Sequence, residues 1–175
     1  LKGVAHLLDV GGGTGAFLEA AGQANRVMDM TLFDLPPVVP DAQARFDAAG
    51  MADRVTIVPG SFRDQALPTG ADAVSLIRVL YDHSDDTVRA LLARVYDALP
   101  DGGRLIVSVP MGGGARPDRA GDVYFAFYTM AMQTGRARSA AEIEALLVEA
   151  GFADVRSPAP ARAYVTRVVT AVRPN

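Results

Sequence analysis

The stretch "LLDVGGGTGAFLEA", Leu7–Ala20, decides the fold. An apolar run closes on Asp9 and Val10, and four of the next five residues, Gly11 to Gly15, are glycine. Phe17, Leu18 and Ala21 follow at helical spacing. Strand, tight turn and helix in that order make the opening half of a βαβ unit. Glycine at such a turn lets the backbone come close to a ligand, because no Cβ stands in the way.

The rest of the chain repeats the alternation. Strands are expected at residues 5–10, 27–34, 54–60, 71–80 and 104–110, each a short run of mostly apolar residues. Helices are expected at 14–24, 41–50 and 84–98. Gly50 ends the second, and Ser84 caps the third with Asp85 and Asp86 in its first turn, where the helix dipole favours acids. A Gly/Pro-rich loop, "MGGGARPDRAG", leads into two further helices at 122–133 and 139–150. Two β-rich runs, "FADVRS" and "AYVTRVVTAV", close the chain with "PAP" between them. Apolar strands alternating with helices imply a parallel sheet covered on both faces. The last connection is too short for a parallel crossover, so one strand near the end must be reversed.

Composition narrows the function. The 175 residues carry a net charge of −3, which speaks against nucleic acid as the main partner. There is no cysteine, so disulfides, thiolate metal sites and cysteine nucleophiles are excluded. No apolar run is long enough to span a membrane, and no signal-peptide pattern is present. Mean hydropathy is +0.16, high for a free-standing small domain. The chain opens on Leu1 and enters a strand within a few residues, so a preceding segment is expected.

Three ligand classes fit a glycine turn at the carboxyl end of a first strand: a nicotinamide dinucleotide, a nucleotide phosphate, or S-adenosylmethionine. "GGGTGA" matches the dinucleotide pattern G-x-G-x-x-A, and Asp34 stands at a suitable distance for a ribose. Asp9, two residues before the glycines, would repel a pyrophosphate but suits a sulfonium or an ammonium group. The turn lacks the Lys-Ser/Thr of a phosphate loop. A terminal β-hairpin is unusual for a nicotinamide domain. The reading is therefore S-adenosylmethionine, with a nicotinamide oxidoreductase domain as the alternative.

"LLDVGGGTGAF", "TLFDLPPVV", "VTIVPGSFRD" and "DALPDGGRLIVSVPM" together resemble class I S-adenosylmethionine-dependent methyltransferases, in particular the plant-type and bacterial small-molecule O-methyltransferases. "RVLYDH" and "GARPDRAGDVYFAFYTMAMQTGRARSAAEI" resemble the carotenoid branch, the hydroxyneurosporene or demethylspheroidene O-methyltransferases of purple bacteria. The resemblance implies a doubly wound, mostly parallel seven-stranded α/β sheet ending in an antiparallel hairpin, with residues 1–175 as one catalytic domain. It implies a helical dimerisation domain before this one, hence a homodimer. The methyl acceptor implied is a hydroxyl of a hydrophobic small molecule, met in the cytoplasm or at the membrane periphery. Alternatives on the same fold are another natural-product acceptor, or cofactor binding without methyl transfer.

The family pattern carries over residue by residue. Gly11, Gly13 and Gly15 are implied to admit the methionine end of the cofactor, with Asp9 beneath them, and Asp34 to accept both ribose hydroxyls. Ser61 and Phe62 fall where relatives contact adenine, though relatives commonly have an acid at the first of these positions. Ile77 and Arg78 lie at the fourth strand's end, near the cofactor. The base of plant relatives is a His before Asp-Trp; here the triplet reads Tyr81-Asp82-His83. Val109 and Ala137 stand where relatives place two assisting acids. Tyr81 and His83 are thus the candidate catalytic side chains, or alignment alone carries most of the catalysis. Helix 122–133 has apolar residues on more than one side, so Tyr124, Tyr128 and Met132 are expected to wall the acceptor pocket or to meet the preceding domain. His6 falls early in the first strand, at the wrong end for chemistry.

Overall fold

The computed structural model describes residues 1–113, 119–159 and 166–175. Seven strands form one sheet: β1 (His6–Val10), β2 (Asp29–Asp34), β3 (Val55–Pro59), β4 (Ala73–Ile77), β5 (Arg104–Val109), β6 (Ala153–Arg156) and β7 (Arg167–Val172). Their order across the sheet is β3-β2-β1-β4-β5-β7-β6. All neighbouring pairs are parallel except those of β7, which runs antiparallel to both β5 and β6. This is the doubly wound sheet with a reversed strand near its end that the chain's alternation predicts.

The helices are α1 (Ala16–Ala24), α2 (Val39–Ala48), α3 (Asp85–Ala98), α4 (Arg119–Ala131) and α5 (Ala140–Glu149). They cover the sheet with two cores. Leu18 and Ala21 of α1 and Ala42 and Phe46 of α2 pack with Leu7, Met30 and Leu32 of the strands. Val88, Leu91, Leu92 and Val95 of α3 and Ile143 and Leu147 of α5 pack with Leu8, Val74, Leu105, Val107 and Val169. Strand side chains alternate between the two faces: Leu105, Val107 and Val109 join one core and Ile106 the other.

Local chemistry sets the boundaries. α2 starts at Val39, ahead of the predicted Asp41, because Pro40 is tolerated in a first turn where no intrahelical N–H bond is needed. β4 stops at Ile77, short of the predicted Leu80, because Arg78 turns to φ +61° and Leu80–Asp82 wind into a 3₁₀ turn. α4 runs from Arg119 to Ala131, three residues earlier than predicted at its start. Ser84 caps α3 through the Thr87 N–H, and Ser139 caps α5 in a reciprocal capping box with Glu142. The start of the last predicted strand, at Ala163, lies outside the described residues.

Chain order turns back at β1, whose neighbours are β2 on one side and β4 on the other. The turn after β1 therefore opens at the switch point, where a crevice forms between diverging connections.

Candidate active site

The glycine turn is built by its neighbours. Gly11, Gly13 and Gly15 take φ +70°, +58° and +79°, values that L side chains rarely adopt. The surroundings of the three differ. A Cβ on Gly15 would run into the Phe46 ring, and one on Gly11 would meet Val79 Cγ2 at 2.8 Å. One on Gly12 would lie 2.9 Å from both Asp9 Oδ2 and Leu32 Cγ. Only at Gly13, within this turn, is there open space. Packing of the protein on itself thus requires most of these glycines, and Gly13 alone faces a void that a Cβ would fill.

Asp34, at the end of β2, lines the cleft beside the turn and is tied to Gly13. Its Oδ2 accepts from the Gly13 N–H at 2.6 Å and its Oδ1 from the Leu35 N–H at 2.7 Å. Each carboxylate oxygen keeps a second lone pair for an incoming hydroxyl. Asp9, buried behind the turn, accepts from Ser75 Oγ at 2.6 Å through Oδ1. Its Oδ2 is buried with no partner among the described residues. Burial pushes the Asp9 carboxyl up to about 7, which the Ser75 bond only partly offsets.

A cavity of about 380 Å³ opens beside the turn. Of the residues singled out in the sequence, Gly11, Asp34, Ser61, Phe62, Arg78 and His83 line it together. Gly13 joins them through its bond to Asp34. Asp9, Gly15, Ile77 and Tyr81 are not part of this lining. Ser61 Oγ accepts from the Arg63 N–H at 3.2 Å, and Phe62 meets the His83 ring edge-on at 5.2 Å between centroids. Phe62 therefore both lines the cleft and packs against the core.

Arg78 is held in the left-handed region by its N–H bond to Ser108 O at 2.7 Å. For a non-glycine residue that conformation costs about 1–2 kcal/mol. The strain directs the guanidinium to the Tyr81 hydroxyl, 3.2 Å from Nη2. Tyr81 is buried and tilts against Tyr128, with ring centroids 5.5 Å apart. A hydrogen bond with Tyr81 is the main reason that the Tyr128 hydroxyl is pushed up to about 12.

His83 Nδ1 lies 3.2 Å from Arg63 Nη2. Burial first, then the charges of Arg63 and Arg138, hold the imidazole below its usual range. The His83 carbonyl accepts from Arg138, which also donates to Leu80 O and to the Asp85 carboxylate. Arg138 is 1% exposed and ties α5's approach to the triplet loop. Sequence reading passed over Arg138, Arg63 and Asp82. The first two have no motif signal, because their partners come from segments far along the chain. His6 bonds Thr31 at the opposite end of the strands, as its position implied.

The three residues predicted to wall an acceptor pocket separate: Tyr124 and Tyr128 lie on α4 and Met132 just beyond its end. Tyr124 is 64% exposed and Met132 50%, while Tyr128 packs inward on Tyr81. None of them lines the cleft by the glycine turn. The side of α4 that lines the neighbouring wide groove is Ala126, Thr129 and Met130, opposite Gly112 and Ala137. Among the described residues no group of acids and histidines is arranged to hold a metal ion, and no helix is long and apolar enough to cross a membrane.

A glycine turn at a switch point, an acid at the end of β2 and a reversed seventh strand define a class, and comparison with known proteins agrees with it. Residues 1–153 match the O-methyltransferase domain family, and the chain belongs to that family. It is 58% identical to the demethylspheroidene O-methyltransferase of Cereibacter sphaeroides over 175 residues, which is all of this chain and 46% of that protein. It is 51% identical to the demethylspheroidene O-methyltransferase of Rhodobacter capsulatus, over 99% of this chain and 42% of that protein. The chain thus spans less than half the length of these relatives. Among solved structures, human N-acetylserotonin methyltransferase in complex with SAM superposes with a TM-score of 0.83 at 27% identity, covering 98% of this chain and 48% of that one.

Proposed function

We propose that this chain is the catalytic part of an S-adenosylmethionine-dependent O-methyltransferase acting on a hydroxyl of a hydrophobic small molecule, of the demethylspheroidene or hydroxyneurosporene type. The observation that carries the reading is the Asp34–Gly13 pair beside an open cleft: a carboxylate with spare lone pairs next to the one glycine of the turn whose missing Cβ leaves space. A ribose and the methionine end of the cofactor fit that arrangement. The buried, unpartnered Asp9 Oδ2 suits an ammonium or sulfonium above it and disfavours a pyrophosphate. The sequence relatives with this acceptor class in their names, at 58% and 51% identity, support the substrate class.

When bound, the cofactor supplies an electrophilic methyl group on a sulfonium. The protein's part is to hold the acceptor oxygen in line with that methyl, exclude water and receive one proton. Asp34 would hold the ribose, Phe62 would cover the adenine, and Ser61 would offer a short hydroxyl where relatives carry an acid. The exposed face of α4 at Tyr124, and Met132 just beyond its end, would meet a further domain and its dimer mate. Such an enzyme would work in the cytoplasm, with the membrane periphery as the alternative that a hydrophobic acceptor suggests, and the chain's net charge of −3 speaks against a nucleic-acid partner.

Calorimetric titration with S-adenosylhomocysteine, with NADH as control, tests the cofactor. The expected result is micromolar S-adenosylhomocysteine binding, no NADH binding, and at least tenfold weaker binding by Asp34→Ala. At about 100 times its dissociation constant the ligand should add roughly 2.7 kcal/mol of stability. Binding of NADH instead would overturn the assignment.

A further inference from the structure

The triplet Tyr81-Asp82-His83 offers three candidate proton acceptors, and their surroundings differ in kind. Tyr81 is buried and does not line the cleft, its oxygen engaged by Arg78 and Tyr128. His83 lines the cleft, but its Nδ1 faces an arginine nitrogen at 3.2 Å. Arginine only donates, so Nδ1 accepts and the ring proton resides on Nε2. A neutral imidazole in that tautomer has no lone pair left for a substrate proton.

Asp82 differs from both. It lines the same cleft as Gly11 and Asp34, and its Oδ1 is buried without a hydrogen-bond partner among the described residues. An unpartnered buried acceptor is costly, and it is explained by local strain, by a bound water or ion, or by a catalytic role. The backbone around it is pinned: Thr134 Oγ1 donates to the Asp82 carbonyl at 2.9 Å, and Gly135 packs against the same peptide.

We propose that Asp82 accepts the proton of the methyl-acceptor alcohol, taking the place of the histidine that the triplet lacks. The inference rests on the methyltransferase reading above. In the step, the alcohol O–H bond breaks and its proton passes to the Asp82 carboxylate, which lines the cleft. The alcohol oxygen forms the new bond to the methyl carbon. The carbon–sulfur bond breaks, and its electron pair stays on sulfur as the positive charge there is neutralised. Arg78 from the end of β4 and Tyr128 from α4 face this carboxylate, with Tyr81 and His83 flanking it in sequence. Burial lifts the Asp82 carboxyl above its ordinary range, while the nearby Tyr128 hydroxyl and the Arg78 charge restrain the rise. A carboxylate lifted in this way is a stronger base than a solvated one. Tyr81 acts as a positioning residue: its hydroxyl accepts from the Arg78 guanidinium at 3.2 Å and its ring packs on Tyr128.

The test uses the full-length protein with demethylspheroidene and S-adenosylmethionine. Asp82→Asn is expected to lower kcat by about 10²–10⁴-fold. Its S-adenosylhomocysteine affinity by calorimetry should stay within about threefold of the parent, as for an isosteric change that spares cofactor binding. The acid limb of the pH–rate profile should disappear. Tyr81→Phe and His83→Gln should each lower kcat by less than about tenfold, as for groups outside proton transfer. Asp82→Glu should restore a titrating acid limb, which covers the case of a poorly folded asparagine variant. Carbon-13 carboxyl NMR of the S-adenosylhomocysteine complex should show a resonance, absent in Asp82→Asn, titrating above the usual aspartate range. A kcat within tenfold of the parent, or a loss of S-adenosylhomocysteine affinity that parallels the loss of rate, would overturn the assignment. If the parent binds S-adenosylhomocysteine yet leaves demethylspheroidene unmethylated, the acceptor reading fails. The Asp82 assignment is then decided by NMR, and titration within the ordinary range refutes it.

Discussion

Gly13 and Gly15 share a left-handed backbone but differ in what lies beyond it, so replacing each with alanine separates folding from binding. Gly15→Ala incurs about 1–2 kcal/mol for a Cβ at positive φ. It also forces the new methyl into the Phe46 ring, whose Cε2 would stand 2.9 Å away. Phe46 is fully buried between α1, α2 and the sheet and has no room to retreat, so overpacking adds about 1–3 kcal/mol. The expected total is about 2–5 kcal/mol, read as a shift in the urea midpoint at constant slope. Gly13→Ala meets nothing within 4 Å and should lose only the backbone contribution, about 1–2 kcal/mol. Its methyl, however, projects beside the N–H that bonds Asp34 Oδ2, where the cofactor is proposed to lie. S-adenosylhomocysteine affinity should therefore fall at least about tenfold, a differential of roughly 1.4 kcal/mol. The double variant Gly15→Ala/Phe46→Leu should recover part of the stability lost by Gly15→Ala. The reasoning fails if Gly15→Ala is as stable as the parent while losing S-adenosylhomocysteine, or if both variants lose stability equally and bind normally.

Asp9 makes a pH prediction for the ligand-free chain. Its carboxyl titrates at 3.8 when unperturbed and at about 7 when buried in the fold. Between those values the folded chain holds a proton that the unfolded chain has released, so stability falls as pH rises from about 4 to about 7 and then levels off. Asp9→Asn should remove as much as about 1.4 kcal/mol per pH unit of that slope, measured by urea unfolding across the window. An unchanged slope would show that Asp9 is not the group responsible. Arg138→Met should cost about 3 kcal/mol, because Leu80 O, His83 O and the Asp85 carboxylate all lose their donor. Arg138→Lys should recover less than half of this by the same assay, since a single ammonium cannot reproduce the guanidinium's fork.

Much of the fold is legible along the chain, and the reasons are local. A five-residue strand with a helix after it is written in the spacing of Leu7, Leu8, Phe17, Leu18 and Ala21. The reversed strand follows from a connection too short to cross over. Caps at Ser84 and Ser139 need only the next turn of helix. The end of β4 was misjudged because Val79 and Leu80 continue the apolar run while the backbone has already turned at Arg78. Apolar residues serve a strand and a buried 3₁₀ turn equally well, so periodicity cannot separate them.

The same division holds for the candidate site. The sequence by itself determined the glycine turn, the acid at the end of β2, and the absence of a histidine at the first position of the triplet, since each is a matter of residue type at a given spacing. Only the tertiary structure decided what each of these groups faces. Phe46, thirty-one residues after Gly15, explains that glycine better than any ligand does. Arg63, twenty residues before His83, occupies the lone pair that a base would need. Arg138, in the segment leading into α5, fixes the loop that carries the triplet. The availability of a lone pair depends on neighbours brought together across the sheet, and that is a property of packing, which no local pattern encodes.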